Sequence, residues 1–449
     1  MTGWIREKTE EYLDSAVILL SELISYKSVM GEPEEGAPFG GECAQVLNFA
    51  AHTLSSDGFK VKNFDNYAIT AAFDEREPEL GILCHLDVVP VDGQDWQSDP
   101  FEADIRDGRI YGRGAIDDKG PAVAVITAMR MIKDMGIPLK RNVRLILGSN
   151  EENGSADIEY YLTKESFPPM LFTPDGNFPV ISAEKGMIRY EYRAKLSDGL
   201  ISLRGGSVVN AVPERAEAVI TGPVPDLSGY EGISFLVENT DNNTVCIKAC
   251  GKGAHASTPA QGKNALTALI GVLAKAGIGG GVIKQMSQIY PYGEYDGTGA
   301  GIACSDAKSG ALTSVLSIAE SDGEDVRFLT DTRIPLDRRT SELVALMDKN
   351  CTQGIQGKAV MTDEPHAADE DSEMVKTLLA VYEDATGEKG ECLAIGGGTY
   401  VHDTEGGVAF GAEWLGCDNH MHGADEFIGI DELKKDIMIY TEAILRLCC

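Results

Sequence analysis

A small set of side chains, spread along this chain, could do metal chemistry. They are His85 and Asp87 in Cys84-His85-Leu86-Asp87-Val88-Val89-Pro90, then Asp117-Asp118, Glu151-Glu152, Asp175 and His422. Each of the first four groups follows an apolar run that reads as a strand. Side chains converging from several strand ends can hold metal ions. A carboxylate left unliganded beside them can activate water. The combination points to a hydrolase with two metal ions.

The spacing narrows the roles without closing them. His85 and Asp87 are two apart, so on a strand they share a face. A metal-bound histidine usually donates its other ring N–H to a carboxylate, and Asp87 could take that part if the chain turns there. A satisfied histidine at a strand end is the plainer alternative. Asp117-Asp118 lies beside the glycine-rich turn Gly112-Arg113-Gly114 and could bind a cation or cap a helix starting near Pro121. In a dinuclear centre one aspartate can bridge both ions, using one oxygen for each. Adjacent Glu151 and Glu152 repel unless a cation lies between them. One could bind metal while the other stays free as a base; both could also be solvated loop acids. Asp175, in Thr173-Pro174-Asp175-Gly176, suits a turn equally well. His420 and His422 form a close pair in a chain with only seven histidines.

Regular elements must carry these groups. Residues 8–26 and Glu42 to Leu54 read as helices, the first with Leu19, Leu20, Leu23 and Ile24 on one side. Leu80 to Val89 and Val143 to Leu147 are apolar runs typical of strands buried on both faces. Pro121 to Lys133 reads as a helix with proline in its first turn, and Met170 to Thr173 as a strand. Alternating strands and helices imply an α/β sheet with crossover connections. The pattern changes near Lys185-Gly186, where Ile188, Tyr190 and Tyr192 alternate with polar residues, as in a sheet with one solvated face. Asn243 to Ala249 and Val326 to Ile334 read as strands, and Asn264 to Ala276 and Ser341 to Lys349 as helices. Glycine-rich stretches at 278–281 and 297–301 read as loops. After Pro365 a helix (Glu373 to Ala385) and apolar strands resume. The expected organisation is a catalytic domain of residues 1–185 and 365–449, interrupted by an inserted α+β lid domain of residues 186–364.

Composition limits the partners. The chain has 449 residues, 43% of them hydrophobic, which is enough for more than one core. With 39 basic against 71 acidic residues its formal charge is −32, which disfavours nucleic acid and anionic membrane. Acidic residues interrupt the apolar face near the N-terminus, unlike a signal peptide, and a long uncharged apolar run is absent. A cytoplasmic protein is expected. Ten cysteines without a CxxC pair argue against zinc fingers and thioredoxin chemistry.

With these residues in view, the chain resembles the metallopeptidase family of aminoacylase, carboxypeptidase G, acetylornithine deacetylase, succinyl-diaminopimelate desuccinylase and carnosinase. The likeness is strongest to the bacterial peptidase V-type dipeptidases. It rests on His85-Leu86-Asp87-Val88-Val89-Pro90, on Gly112-Arg113-Gly114 before Asp117-Asp118-Lys119-Gly120, and on Glu151-Glu152. The resemblance implies an α/β catalytic domain, with a mainly parallel mixed sheet flanked by helices, and two Zn2+ ions, for which Mn2+ or Co2+ could stand in. It implies that His85, Asp117 and Asp175 hold one ion. Asp117 bridges to a second ion held by Glu152 and His422. Asp87 orients His85, and Glu151 is the general base. Asp118 and His420 are implied not to be ligands. His255 matches the family's oxyanion donor in the inserted domain. Asn210 and Arg333 look like substrate contacts, the guanidinium suiting a carboxylate by forked hydrogen bonding. Gly397 and Gly398, in Gly396-Gly397-Gly398-Thr399-Tyr400, resemble a segment beside the substrate carboxylate; a plain tight turn is the alternative.

The implied activity is a zinc dipeptidase acting on dipeptides with a free N-terminus, as a monomer because the inserted domain is enlarged. An N-acyl-amino-acid deacylase would share the same site. Intact Glu151 and five ligands argue against a third reading, a non-catalytic homologue.

Overall fold

The computed structural model describes residues 3–241 and 243–449. The chain forms two compact units, one of residues 1–182, 368–393 and 399–449, the other of 183–367 and 394–398. Among the described residues no helix is long and apolar enough to cross a membrane.

The first unit is built on a mixed sheet. Its strands run in the order Lys60–Phe64, Ala68–Ala72, Asn142–Gly148, Pro78–His85, Met170–Thr173, Val408–Ala409 and Val180–Glu184. The central pairs are parallel: Pro78–His85 lies between Asn142–Gly148 and Met170–Thr173, with His85 opposite Gly148 and Ile82 opposite Phe172. Met170–Thr173 is also parallel to Val408–Ala409. The outer pairs are antiparallel. Parallel strands share a direction, so the residues that follow them emerge at one edge of the sheet. Asn142–Gly148 is buried along its whole length, which explains its unbroken apolar sequence.

Helices Gly3–Ile24, Lys119–Asp134 and Ile430–Cys448 pack together in the core of this unit. The last is missing from the sequence reading. Its stretch Asp431 to Asp436 looks like solvated surface, yet Leu433, Ile437, Tyr440, Ile444 and Leu447 recur at helical spacing and are buried. The strand expected over Leu80 to Val89 stops at His85. Leu86 to Pro90 is irregular but still mostly buried, so its apolar composition records burial rather than extended pairing.

The second unit is an antiparallel sheet in the order Ser234–Asp241, Thr244–Cys250, Arg215–Thr221, Leu200–Gly205, Thr313–Asp322, Asp325–Ile334, Gly186–Lys195 and Gln356–Asp363. Ala216, Ala218 and Ile220 alternate inward to meet helices Ala265–Lys275 and Gly280–Ile289. Asn264 caps the first of these, its Oδ1 accepting from Thr267 N at 3.0 Å. The second helix starts inside the glycine run 278–281 that reads as a loop, because Val282, Ile283, Met286 and Ile289 supply a buried face. Residues 394–398 fall in the stretch expected to be catalytic, but they cluster with this unit. Lys185 N donates to Ile395 O (3.0 Å), and Arg333 Nη1 donates to Gly396 O (3.1 Å).

Phe172 is fully buried and meets Phe410 edge-on at 6.0 Å. Phe172→Ala should cost about 3–5 kcal/mol in chemical denaturation. Ile18→Ala, at a residue that is 61% exposed, should stay within about 0.5 kcal/mol of the parent.

Candidate metal centre

Three parallel strands deliver four of the acidic and imidazole groups. His85 is the last residue of Pro78–His85 and is fully buried. Glu151 and Glu152 form a short 3-10 turn just after Asn142–Gly148. Asp175 follows Met170–Thr173 in a turn where its N–H donates to Thr173 Oγ1 at 3.2 Å. Asp117 comes from the turn before helix Lys119–Asp134, across a cis peptide bond to Asp118. His422 comes from the loop before strand Phe427–Gly429.

These groups form two sets that share Asp117. His85, Asp117 and Asp175 offer donor atoms within 4.8 Å of one another, and so do Asp117, Glu152 and His422. His85 Nε2 lies 3.0 Å from Asp117 Oδ1 and 3.7 Å from Asp175 Oδ2. His422 Nε2 lies 2.7 Å from Asp117 Oδ2 and 3.2 Å from Glu152 Oε1. Asp117 thus turns one oxygen to each set. His85 Nε2 is buried and makes no hydrogen bond despite the nearby oxygens. That is how a nitrogen looks when its lone pair is meant for a cation. One imidazole with two carboxylates per set fits a borderline divalent ion.

The electrostatics agree. Burial pushes Glu151 well above the usual carboxylate range, and Asp175, Glu152 and Asp117 push the same way against the pull of His85. Burial and Asp117 raise Glu152 to about 7. Asp175 is raised by burial, with Asp117 adding to it. Only Asp117 moves down: burial opposes ionisation there, but His422 and His85 overcome it. Divalent cations in both sets would relieve this crowding of like charge.

The supporting contacts refine the expected roles. His85 Nδ1 meets the Asp87 main-chain oxygen at 3.1 Å, while the Asp87 carboxylate is 3.5 Å away. That carboxylate accepts instead from Glu151 N and Glu152 N, both at 3.1 Å. Because the strand ends at His85, Asp87 turns under the glutamates rather than sharing a strand face. Asp118 accepts from His85 N through Oδ2 (3.1 Å) and is buried. His420 is exposed and packs edge-on against Phe427. Neither belongs to the two sets.

Several residues here escaped the sequence reading. Glu426 pairs with Arg113, and its Oε1 accepts from Ile116 N (3.0 Å) and Asp117 N (3.3 Å). Asp157 Oδ2 accepts from Ser149 N, Asn150 N and Tyr400 Oη at 2.6, 2.9 and 2.5 Å, which fixes the entry to the Glu151 turn. Burial raises Glu413 to about 7, with Asp175 and Asp117 adding to it. Arg113 and Glu426, and Tyr400 and Asp157, are far apart in sequence. The one signal was the unusual Arg113 between two glycines.

The second unit gathers the other expected residues by themselves. His255 Nδ1 lies 2.7 Å from Ser257 Oγ, and Ala256 N donates to Asn210 O (2.8 Å). A Cβ on Gly396 would stand 2.6 Å from Ser257 Cβ, so the chain needs glycine there, whereas Gly397 has open space. Arg333 is buried, and its fork is spent on Asp331: Nε donates to Oδ1 (2.6 Å) and Nη2 to Oδ2 (3.1 Å). A forked grip on a substrate carboxylate would therefore have to use the other edge of the guanidinium. Only the remaining Nη hydrogens are left for another acceptor.

A model of peptidase family M20/M25/M40 matches residues 81–446. The chain belongs to this family. Among M20 relatives, YtjP of Bacillus subtilis (strain 168), provisionally named a dipeptidase, is 34% identical over 99% of this chain and 98% of its own length. The Beta-Ala-Xaa dipeptidase of Lactobacillus delbrueckii subsp. lactis is 33% identical over 98% of each chain. The fold is shared with human carnosine dipeptidase 1, at a TM-score of 0.62, 16% identity and coverage of 99% of this chain and 98% of that one.

Asp157 gives a test by pH. Burial raises it to about 6, with Asp87 adding to the shift, while the Tyr400, Ser149 and Ile158 donors oppose it. A raised acid stabilises the fold below its unfolded pKa, about 3.9, and loses that contribution as pH rises through the folded value. Asp157→Asn should gain on the parent between about pH 4 and 6 and run parallel above it, read by thermal unfolding across pH.

Proposed function

We propose that this chain is a metal-dependent dipeptidase that hydrolyses dipeptides with a free N-terminus at a dinuclear zinc centre. The double use of Asp117 carries the reading, and the dipeptidase names of its full-length relatives support it. His85, Asp117 and Asp175 would hold one ion, and Asp117, Glu152 and His422 the other. Mn2+ or Co2+ suit the same donors. Bound there, the ions supply Lewis acidity, lowering the pKa of water and polarising the scissile carbonyl.

The chain's own residues do the rest. Glu151 belongs to neither donor set, so its carboxylate is free to take the water proton and pass it to the leaving amine. Asp87 holds the glutamate pair by its amides and His85 by its main-chain oxygen. His255 is proposed as donor to the developing oxyanion. Asn210, Arg333 and the Gly397-Gly398 segment are proposed as substrate contacts. The enlarged second unit supports a monomer, and a dimer in small-angle scattering would overturn that.

A panel of free dipeptides against N-acetyl and N-succinyl amino acids tests the reading. Dipeptides should turn over; cleavage of acylated substrates alone would replace the reading with a deacylase. Glu151→Gln should lower kcat by at least about 100-fold with both ions still bound. Full activity in that variant would remove Glu151 from the role of base.

A further inference from the structure

The two histidines of the donor sets are held very differently. His85 ends a central strand, is fully buried, and has partners for its main-chain N–H and for ring Nδ1. His422 lies in a loop at φ +60°, with its side chain 51% exposed. Among the described residues its main chain makes one hydrogen bond: Gln94 Nε2 donates to the His422 carbonyl at 2.8 Å.

The chemistry fixes how that amide must face. Trp96 Nε1 and Arg113 Nη2 can only donate, and both reach Gln94 Oε1, at 3.0 and 2.8 Å. The nitrogen is therefore left for the His422 carbonyl, which can only accept. Arg113 then pairs with Glu426, which receives the amides of Ile116 and Asp117. A continuous line of hydrogen bonds thus runs from His422 to Asp117 through side chains alone. Gln97 reinforces it, donating N and Nε2 to Asp425 at 3.0 Å each.

We infer that Gln94 is the positioning residue for the second ion: it fixes the His422 loop against the Asp117 turn and so sets the affinity of the Asp117–Glu152–His422 set without touching the first. This rests on the metal reading above. The principle is general: partners that orient a ligand tune metal affinity about 10–100-fold without binding the metal.

The test is Gln94→Met, which keeps the side-chain length and removes both polar ends. Chelator-stripped protein is titrated with Zn2+ and the bound ions are counted by calorimetry and native mass spectrometry. The parent should take up two ions. The variant should bind the first as tightly as the parent and the second about 10–100-fold more weakly. Unchanged affinity for both ions, or equal weakening of both, overturns the inference. If circular dichroism shows Gln94→Met unfolded, Gln94→Glu, which still accepts from Trp96 and Arg113 but cannot donate to the His422 carbonyl, carries the same test with the same overturning outcomes. A parent protein that binds no Zn2+ would sink the metal reading itself, a result distinct from failure of the Gln94 role.

Discussion

Everything at the sheet edge follows from one constraint: Asp117, Glu151, Glu152 and Asp175 crowd around buried His85 and half-exposed His422 and must be kept from repelling one another. Ionised carboxylates in low dielectric are costly without cations or directed N–H groups. The protein supplies the N–H groups by design of its turns. Asp87 and Asp157 are themselves acids, yet they spend their oxygens on the amides of Glu151, Glu152, Ser149 and Asn150, which fixes where the glutamates stand. Arg113 neutralises Glu426, and Glu426 in turn holds the Asp117 turn. The remaining imbalance sits inside the two donor sets, where divalent ions would meet it.

The sheet makes this crowding possible without disorder. Three neighbouring strands run parallel, so their ends share an edge and the functional turns are anchored in the most buried part of the unit. Helix Lys119–Asp134, buried along nearly its whole length, fixes the fourth contribution, and Lys119 donates to Leu23 O and Tyr26 O to tie its start to the end of the first helix. The His422 loop lacks that anchorage. It depends on side-chain links from the irregular segment around Gln94, so the two halves of the centre are supported with unequal rigidity.

What could be read in the sequence was local and chemical. Acids and scarce histidines after apolar runs stood out, each with a plainer structural use as well; the family resemblance singled out His85, Asp117, Glu152, Asp175 and His422 among them, and the structure brings these five together. Strands such as Met170–Thr173 announce themselves by composition. The illegible parts are long-range or two-sided. Arg113 and Glu426 give no hint of each other, nor do Asp157 and Tyr400, because a hydrogen bond between distant segments leaves no periodic trace. Asp331 as the partner of Arg333 was equally hidden, because the two point the same way only once the strand is formed. Helix Ile430–Cys448 was hidden by its own charges, although buried Asp436 accepts from Trp414 Nε1 at 3.0 Å.

The central claim is that one aspartate serves two ions while Glu151 serves none. Anomalous X-ray scattering at the zinc edge from crystals grown with Zn2+ tests it most directly. The account predicts two peaks, one bounded by His85, Asp117 and Asp175, the other by Asp117, Glu152 and His422, with Glu151 bound to neither. A single peak, or Asp117 bound to only one ion, or Glu151 bound directly to a metal, would contradict it.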